Sequence, residues 1–253
     1  MPVQNGVILY FDILGYQNLL SNNEPENIAE TVIDRITSLN ALVTEEVKKE
    51  FTNPAINKNI EVILATNHWL IFSDTVLLTN AFPDSESDLT RILRWFSILS
   101  MCQRIQSHMF VNGLPCRGVI HFGKFMVKDP CFAGRPIVEA YQLANTLELA
   151  ATVMTEGAEQ IFNQARSATL KGEKGSKVLD FFLERYLVPL KDGKEKHFLT
   201  LNYFPQANLT GKDIRQEVFA AFWQHRKDIP TGAQSKVENT EKHLRFLASL
   251  DNS

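Results

Sequence analysis

Apolar positions along this chain alternate between two periods. Residues 6–12 form a continuous apolar, β-prone run and predict a first strand. Ile28, Val32, Ile36, Leu39, Val43 and Val47 then recur at helical spacing, with Pro25 suited to a first helical turn. A polar stretch at 52–58 reads as a loop. Residues 60–72 read as a long strand and 75–79 as its hairpin partner, with Ser73-Asp74 near the turn. Residues 88–109 predict a helix striped by Leu89, Ile92, Leu93, Phe96, Leu99 and Ile105. A strand at 115–122 follows, then a turn at Gly123-Lys124 into 125–127, and a helix over 137–150.

The first 150 residues therefore run β-α-β-β-α-β, then a short strand and a helix. This is the ferredoxin-like, split-βαβ order of an α+β fold with a mostly antiparallel sheet. It sets the end of the first strand beside the turn of the central hairpin, so Asp12 and Asp74 are expected to be neighbours. Beyond that, 157–168 and two later stretches, 214–225 and 237–250, predict helices. Residues 187–190 and 197–203 predict paired strands joined at Asp192-Gly193, and the charged, Gly-rich 171–177 a surface loop. No Pro/Gly/Ser-rich linker or internal repeat divides the chain. The expectation is a catalytic-type core over 1–155 and an extension over 156–253 packed on it.

Composition narrows the function classes. The chain has 253 residues, 44% hydrophobic and 22% charged, as expected of a globular protein. A net charge of −3 supplies no basic field for nucleic acid. No apolar run reaches membrane-spanning length, and Met-Pro-Val-Gln-Asn lacks the pattern of a signal peptide. Cys102, Cys116 and Cys131 form no CxxC pair and read as reduced thiols, which with the missing signal predicts a cytoplasmic protein. Asn208-Leu209-Thr210 fits a glycosylation pattern by chance.

The chemistry concentrates at two carboxylates. Asp12 lies in Tyr10-Phe11-Asp12-Ile13-Leu14-Gly15-Tyr16 and Asp74 in Phe72-Ser73-Asp74-Thr75-Val76, each at the polar end of an apolar run. A carboxylate is costly to bury unless it is paired or binds a cation. Two such groups at strand ends suit hard divalent ions, Mg or Mn, and phosphoryl chemistry on a nucleotide. Taken alone, an Asp at a strand end is more often a turn or helix cap, Arg117 an ion-pair residue and His121 a satisfied strand histidine. Trp95, Phe96 and Phe110 are read as core.

The motifs resemble those of class III nucleotidyl cyclases. Phe11-Asp12-Ile13-Leu14-Gly15-Tyr16 is similar to their F-x-D-I-x-G-F motif and Phe72-Ser73-Asp74 to their second metal motif. Arg117-Gly118-Val119-Ile120-His121-Phe122-Gly123 is similar to their R-x-G-I-H-x-G strand. The three occur in family order across roughly residues 6–150. Together with Phe132-Ala133-Gly134-Arg135-Pro136-Ile137-Val138-Glu139-Ala140-Tyr141, they look most like the bacterial Pycsar pyrimidine cyclases, which act in antiphage defence. The resemblance implies the class III cyclase fold, with Asp12, Asp74 and the Ile13 carbonyl holding two Mg or Mn ions. Arg117 would grip the terminal phosphates. Phe11, Ile13, Leu14, Gly15 and Tyr16 would cradle the nucleotide, Gly15 letting the backbone come close and the amides of 13–16 opening a helix toward an anion.

Two departures qualify what the resemblance implies. Leu70 stands near the position of a purine-reading Lys, and Cys131 near its partner, which leaves room for a pyrimidine. Val138 and Gln142 stand where the family carries an Asn-Arg pair on a later helix, so Arg135 is the nearest basic substitute. Class III sites span two subunits, so a homodimer is implied. The implied function is cyclisation of UTP, or next CTP, to a 3′,5′-cyclic monophosphate that reaches a separate effector. The alternatives are a purine cyclase with an unconventional base reader, and a cyclase-fold domain that binds nucleotide or a partner without catalysis.

Overall fold

The computed structural model describes residues 3–28, 32–51, 53–83, 85–128, 131–170, 173–227 and 231–251. Its frame is a sheet of strands β1 (Gln4–Ile13), β2 (Asn67–Phe72), β3 (Thr75–Ala81), β4 (Cys116–Lys128), β5 (Cys131–Ala133), β6 (Thr152–Met154), β9 (Leu183–Pro189) and β10 (Glu195–Leu201), with a separate two-stranded pair, β7 (Thr169–Leu170) and β8 (Glu173–Lys174). The strand order is β2-β3-β1-β4-β6-β10-β9, with β5 paired to β4. Every pairing in the sheet is antiparallel except β4 with β6.

Alternation along β1 sorts the core into two layers. Val7, Leu9, Phe11 and Ile13 pack in the larger layer, and Ile8 and Tyr10 in the smaller one. The larger layer holds α3 (Asp34–Lys49), α4 (Pro54–Leu64), α5 (Asp88–Val111) and α7 (Glu156–Ser167). The smaller layer is closed by α6 (Arg135–Thr146), through Ala140 and Ala144. Asp12 shares the parity of Ile8 and Tyr10, and Arg117 that of Val119, so both side chains belong to the α6 face. The remaining helices are α1 (Tyr16–Ser21), α2 (Pro25–Ile28), α8 (Ser176–Leu179), α9 (Ile214–Trp223) and α10 (Gln234–Asp251).

Several expectations need correction. The strand expected over 60–72 is helix α4 up to Leu64 and strand only from Asn67. Ile60, Ile63 and Leu64 bury one helical face while Val62 is exposed, so a run dense in β-branched residues obeyed the helical period. Pro54 opens this helix, inside the stretch expected to be loop. Of the helix expected through Ile28 and Val47, α2 runs up to Ile28 and α3 from Asp34 to Lys49, and residues 29–31 lie outside the described residues. No turn occurs at Gly123-Lys124: β4 runs straight through, with Gly123 opposite Gly6. Glycine is needed there because a Cβ would stand 2.5 Å from Pro136 Cγ. Helix α6 stops at Thr146, after which Leu147 bridges to Leu190, so 147–150 is not helical. The 171–177 loop contains part of the β7–β8 pair and the start of α8, while 171 and 172 lie outside the described residues. Strand β6 was not anticipated; it carries the sheet on to β10 and β9.

Candidate active site

Strand register builds the site. Asp12 stands opposite Thr75 on β3 and opposite Arg117 on β4. Asp74 occupies the β2–β3 turn after Ser73, whose φ of 55° supplies the left-handed step. The turn is tied to the end of β1, since Ile13 N donates to Asp74 O at 3.0 Å. Both carboxylates therefore open at one end of the sheet, into a cleft of ≈ 560 Å³. Of the residues singled out in the sequence, Asp12, Ile13, Leu14, Gly15, Tyr16, Asp74 and Arg117 line it. Phe11 and Arg135 do not. Phe11 is buried in the larger core layer, and Arg135 is exposed at the start of α6, paired with Glu139 at 2.8 Å.

Arg117 is buried, and each nitrogen of its guanidinium has a partner. Nε donates to Asp12 Oδ2 at 2.8 Å, and Nη2 lies 2.6 Å from the same oxygen. Nη2 also donates to Asn145 Oδ1, and Nη1 to the Asn145 carbonyl at 3.4 Å. Burial raises the Asp12 carboxyl above its usual range, the Arg117 guanidinium pulls it back, and Asp74 pushes it further up. Asp12 Oδ1 and the whole Asp74 carboxylate have no protein partner among the described residues. Burial likewise pushes the Tyr10 hydroxyl up to about 12, where it shares a hydrogen bond with Thr75.

The anion cradle expected at 13–16 is smaller than the sequence implied. The Ile13 amide is spent on Asp74 and the Leu14 amide on Pro115 O at 2.8 Å. Gly15 adopts φ 79°, which favours glycine, and begins α1, a helix of only six residues.

Sequence reasoning missed the opposite wall. Lys191, Lys227 and Lys236 line the cleft, with Asn145 and Tyr141 from α6 and Phe222 from α9. Lys191 sits in the β9–β10 turn, anchored by its amide to Thr146 O at 2.8 Å. Its ammonium has no ion-pair partner among the described residues; burial and then Arg117 lower its pKa. Lys236 is 3.2 Å from Glu148. Lys227 is 2% exposed and donates to the carbonyls of Gly113 and Ala221. Its stem covers the loop, because a Cβ on Gly15 would stand 3.5 Å from Lys227 Cδ. Its backbone neighbours are held too: Asn22 Nδ2 donates to Arg226 O at 2.9 Å and Asn23 Nδ2 to His225 O at 2.8 Å. The only local signal for any of these was the Asp192-Gly193 turn beside Lys191.

His121 matches its structural expectation, bonded to Thr155 Oγ1 at 2.8 Å and Glu139 at 3.0 Å. Two carboxylates with open oxygens, in a cleft with no His or Cys among its described lining residues, suit Mg or Mn. Such ions complete their shells with water and phosphate oxygens. Among the described residues no group of three His, Cys, Asp or Glu side chains could hold a metal alone.

The fold is that of class III nucleotidyl cyclase catalytic domains. The catalytic core of a rhodopsin-guanylyl cyclase with converted specificity, solved in complex with ATPalphaS, superimposes with a TM-score of 0.50 at 11% identity, covering 79% of this chain and 96% of that one. The adenylyl cyclase CyaB from P. aeruginosa is aligned at a TM-score of 0.44, with 10% identity over 79% of this chain and 94% of that one. No protein-family model matches the chain, and no curated protein matches it significantly.

Proposed function

We propose that the protein is a nucleotidyl cyclase that converts UTP, with CTP next, to the 3′,5′-cyclic monophosphate and diphosphate. One observation carries this reading: two strand pairings set Asp12 between Thr75 and Arg117, with Asp74 at the adjoining turn, in a cleft whose two carboxylates are accompanied by the cationic side chains of Arg117, Lys191 and Lys236. Such a mixture suits a polyphosphate bound with divalent ions better than a neutral ligand. Asp12 and Asp74, with the Ile13 carbonyl, would hold two Mg or Mn ions, which acidify the ribose 3′-hydroxyl and stabilise the departing diphosphate. Arg117 and Lys191 would bind phosphate oxygens, and Gly15 would let the backbone approach them.

The pyrimidine preference is supported by Leu70, which packs in the smaller core layer of β2 and presents no polar group where purine cyclases place a lysine. A homodimer is supported by Phe72 at the β2–β3 tip and by Val138 and Tyr141 on α6, all exposed apolar side chains near the cleft. Arg135 would then serve the partner's site. In this reading residues 1–155 are the catalytic core and 156–253 the extension that completes the cleft. The cyclic product would act in the bacterial cytoplasm as an antiphage messenger. Among the described residues no helix is long and apolar enough to cross a membrane.

A second reading, nucleotide binding without catalysis, is favoured by the engagement of Arg117 and by Val138 and Gln142, which offer no Asn-Arg pair. One experiment decides among the readings. The pure protein is incubated with Mn²⁺ and each of the four NTPs, and products are identified by mass spectrometry. Cyclic UMP supports the proposal. Cyclic AMP or GMP as the main product selects a purine cyclase, and bound but unconverted nucleotide selects the binding reading.

A further inference from the structure

We propose that Asn145 is a positioning residue that keeps Arg117 in place, fully charged, while Arg117 exchanges Asp12 for a phosphate. The inference rests on the metal–triphosphate reading above. Both short Arg117 contacts to Asp12 fall on one oxygen, Oδ2, and leave Oδ1 open. A divalent ion taken up by Asp12 would lie close to the guanidinium in a largely buried site, where like charges repel strongly. Arg117 must therefore give up the carboxylate as the cation arrives, and a buried guanidinium released with nothing to hold it would lose its aim.

Asn145 meets that requirement. It presents two acceptors from one residue, its side-chain Oδ1 to Nη2 and its main-chain carbonyl to Nη1. It stands on the last turn of α6, whose end is fixed on the far side by Lys191 N donating to Thr146 O and by the Leu147–Leu190 bridge. Both acceptors are neutral. They orient the guanidinium yet leave its charge available to a phosphate. A carboxylate in the same place would hold Arg117 as well and cancel what it offers. Metal and triphosphate binding are then coupled through one side chain that answers to both.

The test uses the full chain, Mn²⁺ and inorganic tripolyphosphate, a probe with no base. Mn²⁺ affinity is read by EPR without phosphate, and tripolyphosphate affinity by calorimetry in saturating Mn²⁺. Melting temperatures are recorded alongside. Asn145→Asp is expected to weaken tripolyphosphate about tenfold or more, the scale of a lost charge-assisted contact, with Mn²⁺ bound as tightly as in wild type or more tightly, since the added carboxylate draws Arg117 from Asp12. Asn145→Ser, small and neutral, is expected to weaken tripolyphosphate less than Asn145→Asp does. Wild-type tripolyphosphate affinity in Asn145→Asp overturns the inference. So does a parallel loss of both ligands that follows the melting temperature, which marks a merely structural role. If wild type binds neither probe, the metal–triphosphate reading falls first and takes this inference with it.

Discussion

Lys227 offers a sharp physical test because its charge is buried far from any anion. Burial pushes its ammonium down to about 7 from an ordinary 10.5. Between those values the unfolded chain binds a proton that the folded chain has released. Stability attributable to this residue therefore rises with pH, by about 1.4 kcal/mol for each pH step. Below about pH 7 both states are protonated, and the full cost of burying the charge is present. From pH 7 to 9 the gain is ~2 kcal/mol, because at pH 7 the folded ammonium is already half deprotonated and the full slope is reached only above it. The perturbation is Lys227→Met, which keeps the apolar stem against Gly15 and removes the titration. Urea unfolding of wild type and mutant at pH 7 and pH 9 isolates the residue, because all other titrating groups cancel in the difference. The gap between the two proteins should move in favour of wild type by ~2 kcal/mol on going to pH 9. A gap that stays within about 0.5 kcal/mol would refute the account of an ammonium buried without a carboxylate partner.

Asp12→Ala and Asp74→Ala should each abolish cyclisation while circular dichroism stays native, since one anchor cannot keep two cations; near-normal turnover in either would remove the two-metal assignment. Arg117→Ala should slow turnover by ~10² or more, and Arg117→Lys should restore part of it, because a lysine lacks the planar fork. Gly15→Ala should cost ~1 kcal/mol in denaturant unfolding through its φ of 79°. With equimolar nucleotides UTP should outcompete ATP and GTP, as measured by product ratios; ATP as the best substrate would end the pyrimidine reading.

The residues on β1, β3 and β4 were legible because strand geometry is strict. Once Asp12 ends one apolar run and Asp74 sits between two others, a hairpin next to the first strand leaves few arrangements, and the observed register is one of them. The stretch before β2 was misread because Ile60 and its neighbours satisfy a buried strand and a helix alike until their exposure is known. Strand β6 has three residues and joins by parallel pairing, which leaves almost no local trace. Asn145 and Lys227 were invisible for another reason. Their roles come from contacts with Arg117 and Gly113, distant in sequence, and nothing in Ala144-Asn145-Thr146 or His225-Arg226-Lys227 announces them. Exposed Arg135 shows the converse: a basic residue in a suggestive motif that lies outside this chain's own cleft.

The C-terminal wall of the cleft also sets a timetable for the growing chain. Asp12 leaves the ribosome well before Lys227, Ala233 and Lys236, which line the same cavity and are made roughly two hundred residues later. At typical synthesis rates the interval is on the order of ten to forty seconds. Throughout it the segment that follows α1 lacks the carbonyls of His225 and Arg226 that later fasten Asn23 and Asn22. A nascent chain, or one clipped before Lys227, would thus carry the complete signature motifs in an unfinished cavity, and synthesis through Lys236 becomes the step that completes it.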